Sequence, residues 1–201
     1  MAGAERREAI LGVARRLFAR QGYHGTSTGE IARAAGCSEA VLYRHFPSKQ
    51  ALFAAVLVRS AGQMRRHLEE ALAEGGDDPL GGLGQAFATL AADPDVPEHL
   101  RLRSLAVTMV DEPEIRETLE ELHRGFRRLL TEAARTSQRN GHVRADVRPD
   151  HVGQLFSCIG FKAAFNLALG GAAELARLTP VAATLLDLLR PPPTATAREG
   201  S

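Results

Sequence analysis

Residues 22–49 read GYHGTSTGEIARAAGCSEAVLYRHFPSK, and where helices start and stop within them decides the fold. Thr28 suits an N-cap, since its hydroxyl can accept from the unpaired amides of a first helical turn, and Ser27 could serve one position earlier. Ile31 and Ala35 lie four apart and share a helix face. Gly36 ends that helix, because glycine takes the left-handed conformation a helix stop needs. Ser38 is placed to cap the next helix, Glu39 to Phe46, and Pro47 stops it. Two short helices about a glycine turn follow the helix-turn-helix plan.

The side chains on the second helix say what it could touch. Val41, Leu42 and Phe46 are the apolar set that holds it to the body. Ser38, Glu39 and Ala40 stand at its start, where a recognition helix meets base edges in the major groove. Tyr43, Arg44, His45 and the Lys49 ammonium can all donate to phosphate oxygens. Ser27 and Thr28, at the start of the preceding helix, complete the predicted DNA contact. A further helix begins after Ser48, and its N-terminal amides and positive dipole end would point at the same backbone.

Upstream, residues 4–21 predict a helix that buries Ile10, Ala14, Leu17 and Phe18, with Gly22 as its stop. The core of the reading head is then Ala14, Leu17, Phe18, Ile31, Ala35, Val41, Leu42 and Phe46. The arginines of this helix are expected to be mostly solvated. Residues 1–49 carry Arg6, Arg7, Arg15, Arg16, Arg20, Arg33, Arg44 and Lys49 against Glu5, Glu8, Glu30 and Glu39, a net of +4. The whole chain of 201 residues carries +1, so the remainder carries −3. Positive charge gathered at one end is the footprint of a nucleic-acid contact.

The stretch GYHGTSTGEIARAAGCSEAVLYRHFPSKQALF resembles the DNA-binding signature of the tetracycline-repressor (TetR) family of one-component regulators. The match lies in an aromatic after glycine, Thr and Ser before a helix, Ile-Ala then Ala-Gly, and Leu-Tyr-x-His-Phe-x-x-Lys. It covers about the first quarter of the chain. Cys37 stands where the family usually has an aliphatic residue, and Gly25 where alanine is common. The resemblance implies a three-helix DNA-binding domain, a helical second domain that binds a small molecule, and a dimer joined by two helices from each subunit.

Beyond the head, the apolar spacing predicts only helices, so the class is all-α, with about nine helices. A long helix from Ser48 to about Glu74 is followed by the break Gly75-Gly76-Asp77-Asp78-Pro79. Helices are then expected over Leu80–Ala92, from Pro97 to about Met109, and from Pro113 to about Arg139. Asp111, Glu112, Pro113 and Glu114 read as the start signal of the last of these. Asn140-Gly141 stops it, and residues 142–148 connect to a helix over Asp150–Leu169. The final helix is placed from Pro180, capped by Thr179, to Arg190. This divides the chain into a DNA-binding domain at 1–49, an effector-binding and dimerisation domain at 50–190, and a disordered tail at 191–201.

Gly153, Ser157, Gly160 and Ala164 form a stripe of small residues on one helix face, which would let a second helix approach closely. With Val181, Leu185 and Leu188 of the final helix, they are assigned to a four-helix dimer contact. For a ligand pocket the apolar candidates are Phe87, Met109, Phe126, Phe161 and Phe165, with Arg103, His123, Cys158, Lys162 and Asn166 as polar partners. Lys162 and Lys49 are the two lysines in a chain with 25 basic residues.

No histidine–cysteine spacing fits a metal site, and no phosphate loop or nucleophile elbow is present. No metal, cofactor or catalytic residue is therefore expected. Cys37 and Cys158 are not expected to pair. The N-terminus has no apolar signal core and no apolar run is long enough to span a bilayer, which points to a cytoplasmic protein without a membrane partner. The expected function is a dimeric regulator, a repressor that leaves a palindromic double-stranded operator when an effector binds. Two alternatives stay open: a helical enzyme or carrier whose N-terminal motif is only structural, and a DNA-binding regulator without an effector.

Overall fold

The computed structural model describes residues 3–83, 95–170 and 177–192, with backbone only for Ala164, Phe165 and residues 167–170. Among these the chain is all-helical: α1 (Gly3–Gly25), α2 (Thr28–Ala34), α3 (Glu39–His45), α4 (Lys49–Glu74), α5 (Val96–Val107), α6 (Pro113–Arg139), α7 (Pro149–Gly170) and α8 (Leu178–Leu189). The helix expected over Leu80–Ala92, including Phe87, lies largely outside the described residues, as does most of the tail.

The predicted stops and starts are nearly all used, with four corrections. Gly22 breaks α1 through a left-handed conformation (φ 76°), but helical geometry resumes for one more turn to Gly25. The Thr26 hydroxyl donates 2.9 Å to the Gly22 carbonyl and ties off that turn. Ser27, not Thr28, caps α2: its Oγ accepts from the Glu30 amide at 3.1 Å. Glu112 precedes α6 without making a side-chain cap; its carboxylate instead accepts from Gln50 Nε2 at 2.6 Å. Thr179 lies inside the first turn of α8, which Arg177 precedes, again without a side-chain cap.

The head packs on one apolar cluster. Ile10, Leu11, Ala14 and Phe18 of α1 meet Ile31 of α2, Leu42 of α3, Phe46, and Leu52, Phe53 and Val56 of α4. Phe18 stands edge-on to Phe53 with ring centroids 5.1 Å apart. Val41, expected in this core, is only half-buried, because α3 turns that side towards its exposed edge. The same cluster continues into Leu102 and Ala106 of α5, Met109, and Ile115 of α6. Head and body therefore share a core.

A second cluster fills the far end, from Leu68 and Leu72 of α4 through Leu130 and Ala134 of α6 to Val152 and Phe156 of α7 and Ala182 and Leu189 of α8. Here α6 and α7 approach closely. A Cβ on Gly153 would collide with Thr131 Oγ1 and sit 2.9 Å from the Thr131 amide nitrogen and 3.1 Å from the Arg127 carbonyl. Ser157 is buried and its Oγ lies 3.3 Å from His123 Nδ1. Gly160 faces Arg103, whose Nη1 would lie 3.7 Å from an added Cβ. The small stripe thus packs inside the subunit against α5 and α6, which corrects the assignment of Gly153, Ser157 and Gly160 to a dimer contact. The side chain of Ala164 is outside the described residues.

Candidate nucleic-acid interface and internal cavity

The exposed edge of the head is built where α2 and α3 begin. Ser38 Oγ accepts from the Val41 amide at 3.3 Å and Ser48 Oγ from the Ala51 amide at 2.9 Å, so α2, α3 and α4 each start on a serine cap. Ser27, Ser38, Glu39, Ala40, Tyr43 and Arg44 are exposed, while Thr28, His45 and Lys49 are half-buried. The Thr28 hydroxyl lies 3.1 Å from the Tyr43 phenol and donates over 3.1 Å to Glu39 Oε2. Tyr43 is 44% exposed although its ring is fixed at one end. The edge is therefore ordered before any partner arrives.

Glu39, expected to face bases, is exposed at the start of α3. Its carboxylate leans over the start of α2, and a Cβ on Gly29 would come within 2.5 Å of Glu39 Oε1. The carboxylate accepts there from the Thr28 hydroxyl. Lys49 Nζ sits 4.3 Å above the ring of Tyr23, and burial lowers its pKa. Arg6, expected to be solvated, donates from Nη1 to the Ala35 and Gly36 carbonyls at 3.3 and 3.1 Å. It satisfies the carbonyl end of α2, a long-range contact no local pattern could show.

Behind the head, a cavity of about 450 Å³ opens between the helices of the body. Leu57, Ser60, Ala61 and Met64 of α4 form one wall, and His99, Leu100, Arg103 and Val107 of α5 another. Leu119, Leu122, His123 and Phe126 of α6 and Phe161 of α7 close it, with Val110, Arg116 and Glu120 also on its lining. Four predicted pocket residues meet here: Arg103, His123, Phe126 and Phe161. Met109 is buried in the first core instead. Cys158 and Lys162 are exposed and Asn166 is buried outside the lining. Phe87 and the side chain of Phe165 are outside the described residues.

The α4 wall was not anticipated. Its signal is the run Ser60-Ala61-Gly62, small residues in mid-helix that leave room beside them. His99, also missed, is buried and holds Arg15 Nη1 at 3.3 Å through Nε2. Arg15 also faces Asp95 Oδ2 and Glu98 Oε2, each at 3.3 Å. A cavity wall is thereby fastened to α1 of the head.

The polar groups of the cavity are shifted by their setting. Burial lowers the pKa of Arg103, whose guanidinium carbon lies 4.4 Å from the centroid of the Phe161 ring. The pKa of His123 is lowered first by burial, then by the charges of Arg103 and Arg127. On the outer surface of α7 and α8, Leu155, Val181 and Leu188 are exposed, while Leu185 packs half-buried on the second core. Among the described residues no helix is long and apolar enough to cross a membrane.

Two short helices joined at the Gly36 turn, with the polar edge of α3 exposed, form a helix-turn-helix head on a helical body with an internal cavity. Residues 10–56 match the profile "Bacterial regulatory proteins, tetR family". The HTH-type transcriptional regulator AcrR of Shigella flexneri is 37% identical over 98 residues, covering 49% of this chain and 46% of AcrR. The chain thus aligns to about half the length of that relative. The HTH-type transcriptional repressor ComR of Escherichia coli (strain K12) is 27% identical over 186 residues, covering 90% of this chain and 88% of ComR. A solved putative TetR-family regulator from Mesorhizobium loti superposes with a TM-score of 0.75 at 26% identity, covering 92% of this chain and 96% of its own. Residues 10–56 thus carry the DNA-binding region of the tetR family of bacterial regulatory proteins, and the whole chain shares the fold of a solved member.

Proposed function

We propose that the chain is a cytoplasmic transcriptional regulator that binds a palindromic operator as a homodimer and lets go when a small molecule fills the cavity. The observation that carries the reading is the edge of α3: Tyr43 and Arg44 stand in solvent beside Ser38 and Ala40, with Tyr43 hydrogen-bonded to Thr28 on the neighbouring helix. A helix kept only for structure has no use for that exposed polar set. Small side chains at its start let the helix sit deep in the groove, and Tyr43, Arg44 and Lys49 donate to phosphates.

Pairing follows from the opposite end. Leu155, Val181 and Leu188 leave an apolar surface on α7 and α8, and Leu188 is 65% exposed. A second copy covers it in a twofold arrangement, which sets two recognition helices on one face of the duplex. Leu188→Glu turns the dimer into monomer in sedimentation at micromolar protein; a dimer unmoved by that charge refutes this surface.

Release works by coupling. A ligand wedged between α4 and α5 favours the body conformation in which the two heads are wrongly spaced. A coupling of about 1–3 kcal/mol changes operator affinity about 5- to 150-fold. No chemistry is carried out on the ligand in this reading. Selection of bound fragments from random duplex DNA tests it: an inverted repeat is expected, with half-sites about one helical turn or more apart. Failure to enrich any sequence refutes it.

A further inference from the structure

The cavity carries a chemical preference of its own. Arg103 reaches it from α5, and its recorded partner is the face of Phe161, 4.4 Å from the guanidinium carbon. Among the described residues no carboxylate pairs with it. A desolvated cation without a counter-ion is costly, and a ring face offsets only part of that cost. Five N–H donors in a planar fork await a planar anion, the geometry that guanidinium and carboxylate share.

The rest of the lining points the same way. His123, whose Nδ1 is 3.3 Å from Ser157 Oγ, stands close enough to Arg103 and Arg127 for both to depress its pKa. The potential at that end is positive. The acid on the lining, Glu120, is exposed and has Arg116 one turn away on the same helix. Leu57, Met64, Leu100, Leu119 and Phe126 supply apolar wall elsewhere.

We infer that the effector is an amphipathic organic anion: a carboxylate on an apolar body, its head group forked by Arg103 and its tail along α4 and α6. The inference rests on the reading of this cavity as the effector site. It excludes quaternary ammonium compounds and neutral lipophiles as the preferred class.

The test uses three probes of matched length, decanoate, decanamide and decyltrimethylammonium, titrated calorimetrically into the native protein. Decanoate is expected to bind about tenfold or more tightly than either of the others, the scale of a charge-assisted hydrogen bond. Arg103→Met is expected to abolish that preference while leaving decanamide binding in place. Should that variant fail to fold, the native protein decides on its own: equal or tighter binding of decanamide or the ammonium, or no binding of decanoate, overturns the inference. Arg103→Met retaining the carboxylate preference overturns it as well. Operator release is measured separately, by anisotropy of a labelled fragment. Decanoate that binds through Arg103 without releasing DNA upholds the anion site and refutes the effector reading. Release by a non-anionic ligand of the cavity, with no carboxylate preference, does the reverse.

Discussion

Two glycines on facing helices separate close packing from mere tolerance. Gly153 on α7 is pressed against α6: an added Cβ would collide with Thr131 Oγ1 and lie 2.9 Å from the Thr131 nitrogen and 3.1 Å from the Arg127 carbonyl. Two of those three atoms are backbone, so no rotamer change relieves the contact and the helices have to part. Gly125 on α6 has nothing within 4 Å of its would-be Cβ. Alanine at either site gains about 1 kcal/mol of helix propensity. Gly125→Ala keeps that gain and is expected to raise the melting temperature by about 2–4 °C for a chain of this length. Gly153→Ala adds an overpacking cost of roughly 1–3 kcal/mol. The propensity term cancels in the difference between the two variants, so Gly153→Ala should melt about 2–12 °C below Gly125→Ala. Thermal unfolding followed by circular dichroism reads this, at one protein concentration because a dimer's melting point depends on it. Equal shifts would refute the close α6–α7 approach. A Gly153→Ala protein that melts like Gly125→Ala but dissociates into monomers would return that residue to a dimer contact.

Lys49→Ala is expected to weaken binding to every duplex alike and to reduce the salt dependence by about one phosphate per head; a changed base preference in competition titrations would contradict this. Arg15→Gln removes the guanidinium that joins His99, Asp95 and Glu98 to α1. With partly solvated pairs at about 1 kcal/mol or less each, the ratio of operator affinities without and with ligand should fall roughly fivefold, and an unchanged ratio would show the coupling runs elsewhere. His123 has its pKa lowered in the folded chain, so between the unfolded value near 6.5 and the folded one the unfolded chain binds more protons. Its contribution is therefore intact above about pH 6.5 and lost as the pH falls through that window. His123→Gln should flatten the fall in urea stability there, and an unaltered slope would exclude this residue as its source.

The head was legible because its signals are local. Ser38, Gly36 and Pro47 act within one turn of themselves, and the apolar positions Ile31, Leu42 and Phe46 repeat at helical spacing. What went astray depends on distance. Thr28 looked like a cap until the Glu39 carboxylate and Tyr43 phenol, 11 and 15 residues away, claimed its hydroxyl. Arg6 looked solvated until α2 placed two carbonyls beside it. The stripe of small residues on α7 correctly signalled a close helix, but periodicity does not say whose helix it is. The cavity was half legible for the same reason. Arg103, His123, Phe126 and Phe161 stood out by type, whereas the α4 wall combines the small Ser60 and Ala61 with Leu57 and Met64, apolar residues that a packed core would use as readily.

The shared core constrains how ligand and operator can communicate. Ile10, Leu11 and Ala14 of the head lie in one cluster with Leu102, Ala106 and Met109 of the body, and Leu105 stands 3.9 Å from where a Cβ on Gly22 would be. A head swinging freely about the start of α4 would take those side chains out of contact and expose them, at about 25 cal/mol for each Å² uncovered. It would also break the Gln50–Glu112 and Arg15–His99 links on two sides of the joint. A coupling of a few kcal/mol cannot sustain that loss. The motion consistent with the packing is a small slide in which α5 carries α1 with it. On the proposed reading, a ligand that pushes α5 away from the later turns of α4 would bear on the reading head through Arg15 and the apolar seam together, the first turns of α4 moving with the head.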